Sequence, residues 1–252
     1  MKTIRALAVI SAVLLIFCIS GVVVLCIVPE QSTTTTTGGD KPAIVPDPDD
    51  VILDLTDDAG EDYLKKLYFV GDSTTYHFFK GGIDKSHILV PESLTLMLDS
   101  TIDTVTVGSK GLTIGEALAD ADAPIVIITV GVNGADGFTE LRYKTYYKKL
   151  IASIRAASPD TVIILQSVFP VTKEYSDKNI GITNGGINRL NEWVKQIAAD
   201  EGLKYLDTQS ILKDQNGAQI DQYGEEDGVH MNAEAYREIL KYIRTHAIEI
   251  NQ

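Results

Sequence analysis

Cysteine is absent from this 252-residue chain beyond position 26; both of its cysteines, Cys18 and Cys26, lie in one apolar run near the start. The remainder therefore has no internal disulfide and no thiolate metal site. That absence is compatible with either side of a membrane, because a domain of this size holds together without cross-links. Histidine is scarce too, with His77, His87, His230 and His246 far apart and no HxH, HxxxH or Asp/His cluster. No metal site is expected. No GxxxxGK[ST] pattern occurs, which argues against a flavodoxin-like nucleotide or phosphate binder. Positive charge is in deficit: 22 Lys and Arg stand against 35 Asp and Glu, a net −13. Such a surface repels a phosphate backbone, so nucleic acid is not an expected partner. No internal repeat is present.

What the chain has in quantity is apolar sequence, 44% of residues, unevenly spread. Residues 6–28 carry no charge and are diluted only by Ser11, Ser20 and Gly21. As a helix at about 1.5 Å per residue this run reaches roughly 35 Å, long enough to span a bilayer core. A cleavable signal has a shorter apolar centre and a small-residue cleavage site; here the run exits into Cys26-Ile27-Val28-Pro29. Neither Phe17 before Cys18 nor Leu25 before Cys26 suits a lipoprotein signal. The expectation is an uncleaved transmembrane anchor over residues 1–28. Lys2 and Arg5 precede the span and acidic sequence follows it, placing the N-terminus in the cytoplasm and the rest outside the cell membrane. Residues 29–50, with Thr33–Thr37, Gly38-Gly39 and prolines 42, 46 and 48, read as a linker. Extended, it reaches on the order of 70 Å.

Residues 51–252 form the expected globular domain. Short apolar runs at 67–70, 104–107, 125–130, 162–165 and 205–206 suit strands buried on both faces of a parallel sheet. Ile187, Leu190, Val194, Ile197 and Ala198 share one helical face; Leu141, Leu150, Ile151 and Ile154 do so less cleanly. Asn232 is a plausible N-cap for a final helix. Strand–helix alternation implies an α/β three-layer sandwich with a central parallel sheet of about five strands, its working residues at the strands' carboxyl ends.

Four motifs sit at such ends. Leu67–Val70 runs into Gly71-Asp72-Ser73-Thr74, where a glycine-assisted turn can present the Ser73 hydroxyl, though Asp72 and Ser73 are equally ordinary helix caps. Asp227-Gly228-Val229-His230 can hold an imidazole in one tautomer, or simply be a capping loop. Asn133 in Gly131-Val132-Asn133-Gly134 can aim an amide at a developing oxyanion or serve as a turn residue. Gly111 in Ser109-Lys110-Gly111-Leu112-Thr113 can offer an unobstructed backbone N–H or only make a turn.

In the order Ser, Gly, Asn, then Asp and His, these blocks resemble the SGNH hydrolase superfamily, also called GDSL-type esterases, over roughly residues 62–245. Gln166-Ser167-Val168-Phe169-Pro170 is similar to that family as well. The resemblance implies a Ser73–His230–Asp227 triad and an oxyanion hole from the N–H groups of Ser73 and Gly111 and the Asn133 amide. It implies acyl transfer without a cofactor. Thr74 replaces the name-giving Leu, and Gly134 stands where many members carry Asp, which bears on how Asn133 is held. Location and family habit together suggest an esterase removing O-acetyl groups from cell-wall or surface polysaccharide. The alternatives are a lysophospholipase or thioesterase, and a non-catalytic surface binding module of the same fold.

Overall fold

A computed structural model describes residues 48–90, 104–107 and 110–249. The expected membrane span and residues 29–47 of the expected linker lie outside the described residues. Among those described, no helix is long and apolar enough to cross a membrane. Pro48–Val51 forms a 3-10 turn that leads into the domain, and Val51 is buried.

Five strands form the central sheet: β1 (Leu67–Gly71), β2 (Ile88–Leu89), β5 (Ile125–Thr129), β6 (Val162–Gln166) and β7 (Lys204–Leu206), in the order β2-β1-β5-β6-β7. Every pairing is parallel, with Leu67 opposite Ile125 and Gly71 opposite Thr129. The expected α/β fold with a five-stranded parallel sheet is present, but one expected member is not in it. Thr104–Val107 (β3) pairs antiparallel with Lys110–Thr113 (β4) in a separate ribbon. The edge position is taken by Ile88–Leu89, which is not among the expected strands. A Val-rich run fits either pairing; tertiary partners decide which forms.

The sheet is covered on both faces because its strands are apolar throughout. Side chains alternate across a strand. Leu67, Phe69, Ile125 and Ile127 therefore face one layer, while Val70, Val126 and Ile128 face the other. The second layer is built by α3 (Ile114–Asp120), α4 (Glu140–Ala157) and α6 (Asn184–Glu201). The first is built mainly by α7 (Ala233–Arg244), with α1 (Glu61–Leu64). Short α2 (Ser73–Tyr76) follows β1, and α5 (Lys173–Asp177) follows β6. Asn232 caps α7 as expected, accepting from the Glu234 and Ala235 amides. Leu141 departs from expectation, lying 79% exposed, while Tyr143 and Tyr147 fill the apolar face of α4. Their hydroxyls donate to the carbonyls of Val130 and Ile128, which makes large polar-tipped rings acceptable there. His246 lies just beyond α7, stacked on Tyr242 at 3.8 Å.

Strand order reverses at β1, with β2 on one side and β5 on the other. The crevice of such a sheet opens at the carboxyl ends flanking that reversal. Ser73 follows β1, and Asn133 lies on the turn after β5.

Candidate active site

Gly71 ends β1 where only glycine fits: a β-carbon there would stand 2.2 Å from the Thr129 carbonyl oxygen. Asp72 follows as the N-cap of α2, and Ser73 occupies the first helical position, exposed. At that position the N–H has no acceptor within the helix. The capping reading of the tetrapeptide and its presentation of a serine thus prove compatible.

Ser73 Oγ lies 3.0 Å from His230 Nε2, and His230 Nδ1 lies 2.6 Å from Asp227 Oδ2. An ionised carboxylate only accepts, so Nδ1 carries the proton and Nε2 is left to accept from the serine hydroxyl. Asp227 Oδ1 also accepts from the backbone N–H groups of Val229 and His230. Burial works against the charged form of Asp227. The hydrogen bonds from the His230 ring and from the His230 and Val229 amides outweigh it and bring its pKa down to about 2. The carboxylate stays ionised across any ordinary working range.

The structure brings Ser73, His230 and Asp227 into one hydrogen-bonded series, from segments 157 residues apart in the case of Ser73 and His230. Asn133 lies half-buried on the turn after β5, its amide without a hydrogen-bond partner among the described residues. Gly134, the departure noted above, has φ +83°, a conformation glycine adopts without strain. Gly111 is placed differently from expectation. It lies exposed within β4, opposite Thr106, and not at the end of a sheet strand. No described hydrogen bond joins Gly111 to the serine, the histidine or Asn133.

Two residues escaped the sequence reading. The Asp72 side chain, 2% exposed, does far more than cap α2. Its Oδ1 accepts from the Thr74 N–H at 3.1 Å and the Thr74 hydroxyl at 2.7 Å. Its Oδ2 accepts from the N–H groups of Gly131 and Val132 at 3.1 and 3.2 Å. One buried carboxylate therefore ties the serine turn to the Asn133 turn. Burial raises its pKa, and the four donors oppose that rise. The second is His77, whose ring meets the His230 ring edge-on at 4.7 Å. Burial, followed by the charges of Lys80 and His230, lowers His77 to about 4. Capping was the signal for Asp72; for His77 it was spacing, four residues or about one helical turn beyond Ser73.

Among the described residues, no group of His, Cys, Asp and Glu could hold a metal ion. A cleft of about 610 Å³ meets the site at Asp227; Thr172, Tyr175, Asp221, Glu225 and Glu226 also line it.

A three-layer α/β sandwich matched by the family model over residues 69–238 makes this chain a member of the SGNH hydrolase superfamily. More particularly, the chain belongs to the GDSL-like lipase/acylhydrolase family, whose model matches residues 69–238. That span holds all five residues singled out by the sequence. Solved structures resemble the fold. A Streptococcus pneumonia protein assigned as a platelet activating factor is 19% identical, with a TM-score of 0.50 over 73% of this chain and 88% of its own. A Slackia heliotrinireducens protein assigned to the SGNH hydrolases is 16% identical, TM-score 0.50, covering 71% and 97%. The periplasmic domain of a Salmonella ser. Paratyphi A lipopolysaccharide acetyltransferase is 13% identical, TM-score 0.50, covering 71% and 82%. At these identities the likeness is one of fold. No curated protein matches the chain.

Proposed function

We propose that this protein is a membrane-anchored, extracytoplasmic serine esterase, with Ser73 as nucleophile, His230 as general base and Asp227 as the group that orients the imidazole. One observation carries the reading: the unbroken series Ser73 Oγ, His230 Nε2, His230 Nδ1, Asp227 Oδ2 at 3.0 and 2.6 Å. His230 takes the hydroxyl proton as Ser73 attacks an ester carbonyl, then returns it to the leaving alcohol. Water repeats the cycle on the acyl-enzyme and frees the acid. The ionised Asp227 stabilises the imidazolium formed at each step.

The tetrahedral oxyanion is held by the N–H of Ser73, the amide of Asn133 and, by family resemblance, the N–H of Gly111. Among the described residues, the Ser73 N–H at the helix start has no acceptor and the Asn133 amide has no partner. Donors of this kind, fixed in advance, contribute about 100- to 1000-fold each in turnover. No cofactor enters the cycle.

The substrate is read as a short acyl ester, an O-acetyl group on cell-wall or surface polysaccharide. Residues 6–28 as an anchor and 29–50 as a tether would hold the domain outside the cell, within reach of such polymer. The polar cleft that meets the site at Asp227 is lined by neither Ser73 nor His230, so the substrate reading rests on that placement and on the family resemblance. Lipid ester or thioester hydrolysis is the alternative enzyme reading, and a non-catalytic binding module the alternative of another class.

The test is labelling of the full chain with a fluorophosphonate and turnover of nitrophenyl acetate. Labelling disappears in Ser73→Ala, and turnover collapses in His230→Ala, by about 10⁴-fold or more. A folded wild-type protein that is neither labelled nor active sinks the enzyme reading. Acetate release from acetylated glycan, set against fatty-acid release from lysolipid, then decides the substrate class.

A further inference from the structure

Asp227 and His230 lie on a loop whose two legs are joined at its base. Gly224 bridges to Met231, and the Glu225 N–H donates to the His230 carbonyl at 2.9 Å. Gly228 N–H closes back on the Glu225 carbonyl at 3.0 Å. Its tip is tied at Gly228, whose carbonyl accepts from the Thr172 N–H at 2.9 Å, and Met231 at its foot is buried, but the Asp227 side chain is half exposed. Something must fix its approach to Ser73, because a hydroxyl–imidazole hydrogen bond tolerates only a few tenths of an ångström.

The segment that carries Ser73 runs on as a 3-10 helix, His77–Gly81. Lys80, two turns beyond Ser73, is mostly shielded from solvent. Its ammonium reaches Glu225 Oε1 at 2.5 Å and the Met231 carbonyl at 3.3 Å. These two acceptors belong to opposite legs of the loop. Between Lys80 and Ser73, the His77 ring packs against the edge of His230. A single segment thus touches the acid–base loop three times: the serine at the Nε2 tip, His77 at the ring, Lys80 at the base.

Resting on the triad reading above, we propose that Lys80 is a positioning residue for the acid–base pair. It clamps both legs of the Asp227–His230 loop to the segment that presents Ser73, and so sets the separation between the hydroxyl and the imidazole. Lys80 touches neither substrate nor a reacting atom. The ion pair is partly shielded and adds two bonds to one ammonium, so it directs geometry more than it adds stability. Displacement of a reacting group by about 1 Å costs on the order of 100-fold in rate.

The experiment compares wild type with Lys80→Met, Lys80→Arg, Glu225→Gln and the Lys80→Met/Glu225→Gln double variant, all as the full chain kept in mild detergent. Activity is read on nitrophenyl acetate, stability by thermal melting, and the His230 imidazole by ¹⁵N-resolved NMR. In Lys80→Met, kcat falls about 10- to 100-fold while KM stays within about twofold. The His230 ring signals move toward those of a free imidazole. Lys80→Arg restores most of the rate. The double variant is no worse than Lys80→Met, since Lys80→Met already removes the contact that Glu225→Gln cuts.

A folded Lys80→Met protein with kcat within about twofold of wild type overturns the proposal, as does additive loss in the double variant. A lower melting temperature with unchanged kcat assigns Lys80 to structure alone and overturns it too. If Lys80→Met does not fold, Glu225→Gln, which leaves every main-chain bond of the loop, decides by the same criteria. An inert, unlabelled wild type defeats the esterase reading instead. The imidazole signals then decide the clamp: displaced in Lys80→Met they support it, unmoved they overturn it.

Discussion

Ser73 and His230 lie 3.0 Å apart, yet the segments behind them are built on different principles. The serine side is set into the interior. Asp72 is buried with four donors, Thr75 donates to the Thr129 carbonyl, and the Tyr236 hydroxyl donates to the Thr74 carbonyl at 2.6 Å. The histidine side is a loop anchored at Gly228 and Met231, but its Asp227 side chain is half exposed and accepts three bonds, all from residues within its own turn. Buried polar groups are expensive to leave unpaired, so on the serine side geometry and folding are one property. On the histidine side they separate. Substitutions there should change rate while leaving the fold intact.

Asp227→Asn gives the largest expected departure between the two. An amide in place of the carboxylate favours the wrong imidazole tautomer and does not stabilise the imidazolium. In a triad that lowers kcat by about 10⁴-fold. The side chain is half exposed, so the melting temperature should stay near that of wild type. A large fall in stability would break the comparison, because it would make the loop as integral to folding as the serine turn.

Asp72→Ala is the counterpart. It strands the N–H groups of Thr74, Gly131 and Val132 and the Thr74 hydroxyl in the interior. The expected loss is about 3 kcal/mol or more, measured by denaturant unfolding. Activity should fall as well, because the turn carrying Asn133 is released from the turn carrying Ser73. An unchanged unfolding midpoint would show the carboxylate to be dispensable to the interior and remove the contrast.

The same contrast explains what the sequence could disclose. The serine and histidine blocks were legible because each is local: a buried strand running into Gly71-Asp72-Ser73, and a carboxylate three residues before His230. Asn232 as a cap and the apolar face of α6 were legible for the same reason. What joins these pieces was not. The bond from Asp72 to Thr74 follows from local capping, but those to Gly131 and Val132 span 59 and 60 residues. Lys80 meets Glu225 across 145. Ile88–Leu89 is too short for any period to show, and Thr104–Val107 has the composition of a sheet strand but pairs within a ribbon. With that pairing Gly111 lies within β4 and not at a strand end, and its role rests on resemblance.

His77 tests the boundary between the two regions, and its effect should be the smallest. It belongs to the serine segment but faces the other side, meeting His230 at 4.7 Å. The groups around it are Lys80, His230, Glu225 and Asp227, with Tyr76, Phe79 and Tyr236 as ring neighbours. Burial first, and then the charges of Lys80 and His230, bring its pKa from 6.5 to about 4. Between those values the unfolded chain binds the proton that the folded protein refuses. Stability contributed by the neutral ring is therefore whole above about pH 6.5 and declines as pH falls toward 4. His77→Phe keeps a flat ring against His230 and removes that titration. Its melting temperature should decline less steeply than that of wild type between pH 7 and 4.5. Identical slopes would mean that His77 is as open to protons as the exposed loop it touches. The buried side would then end at Asp72, not at the imidazole edge. A flatter slope places His77 within the interior, and with it one face of the ring that the histidine side relies on.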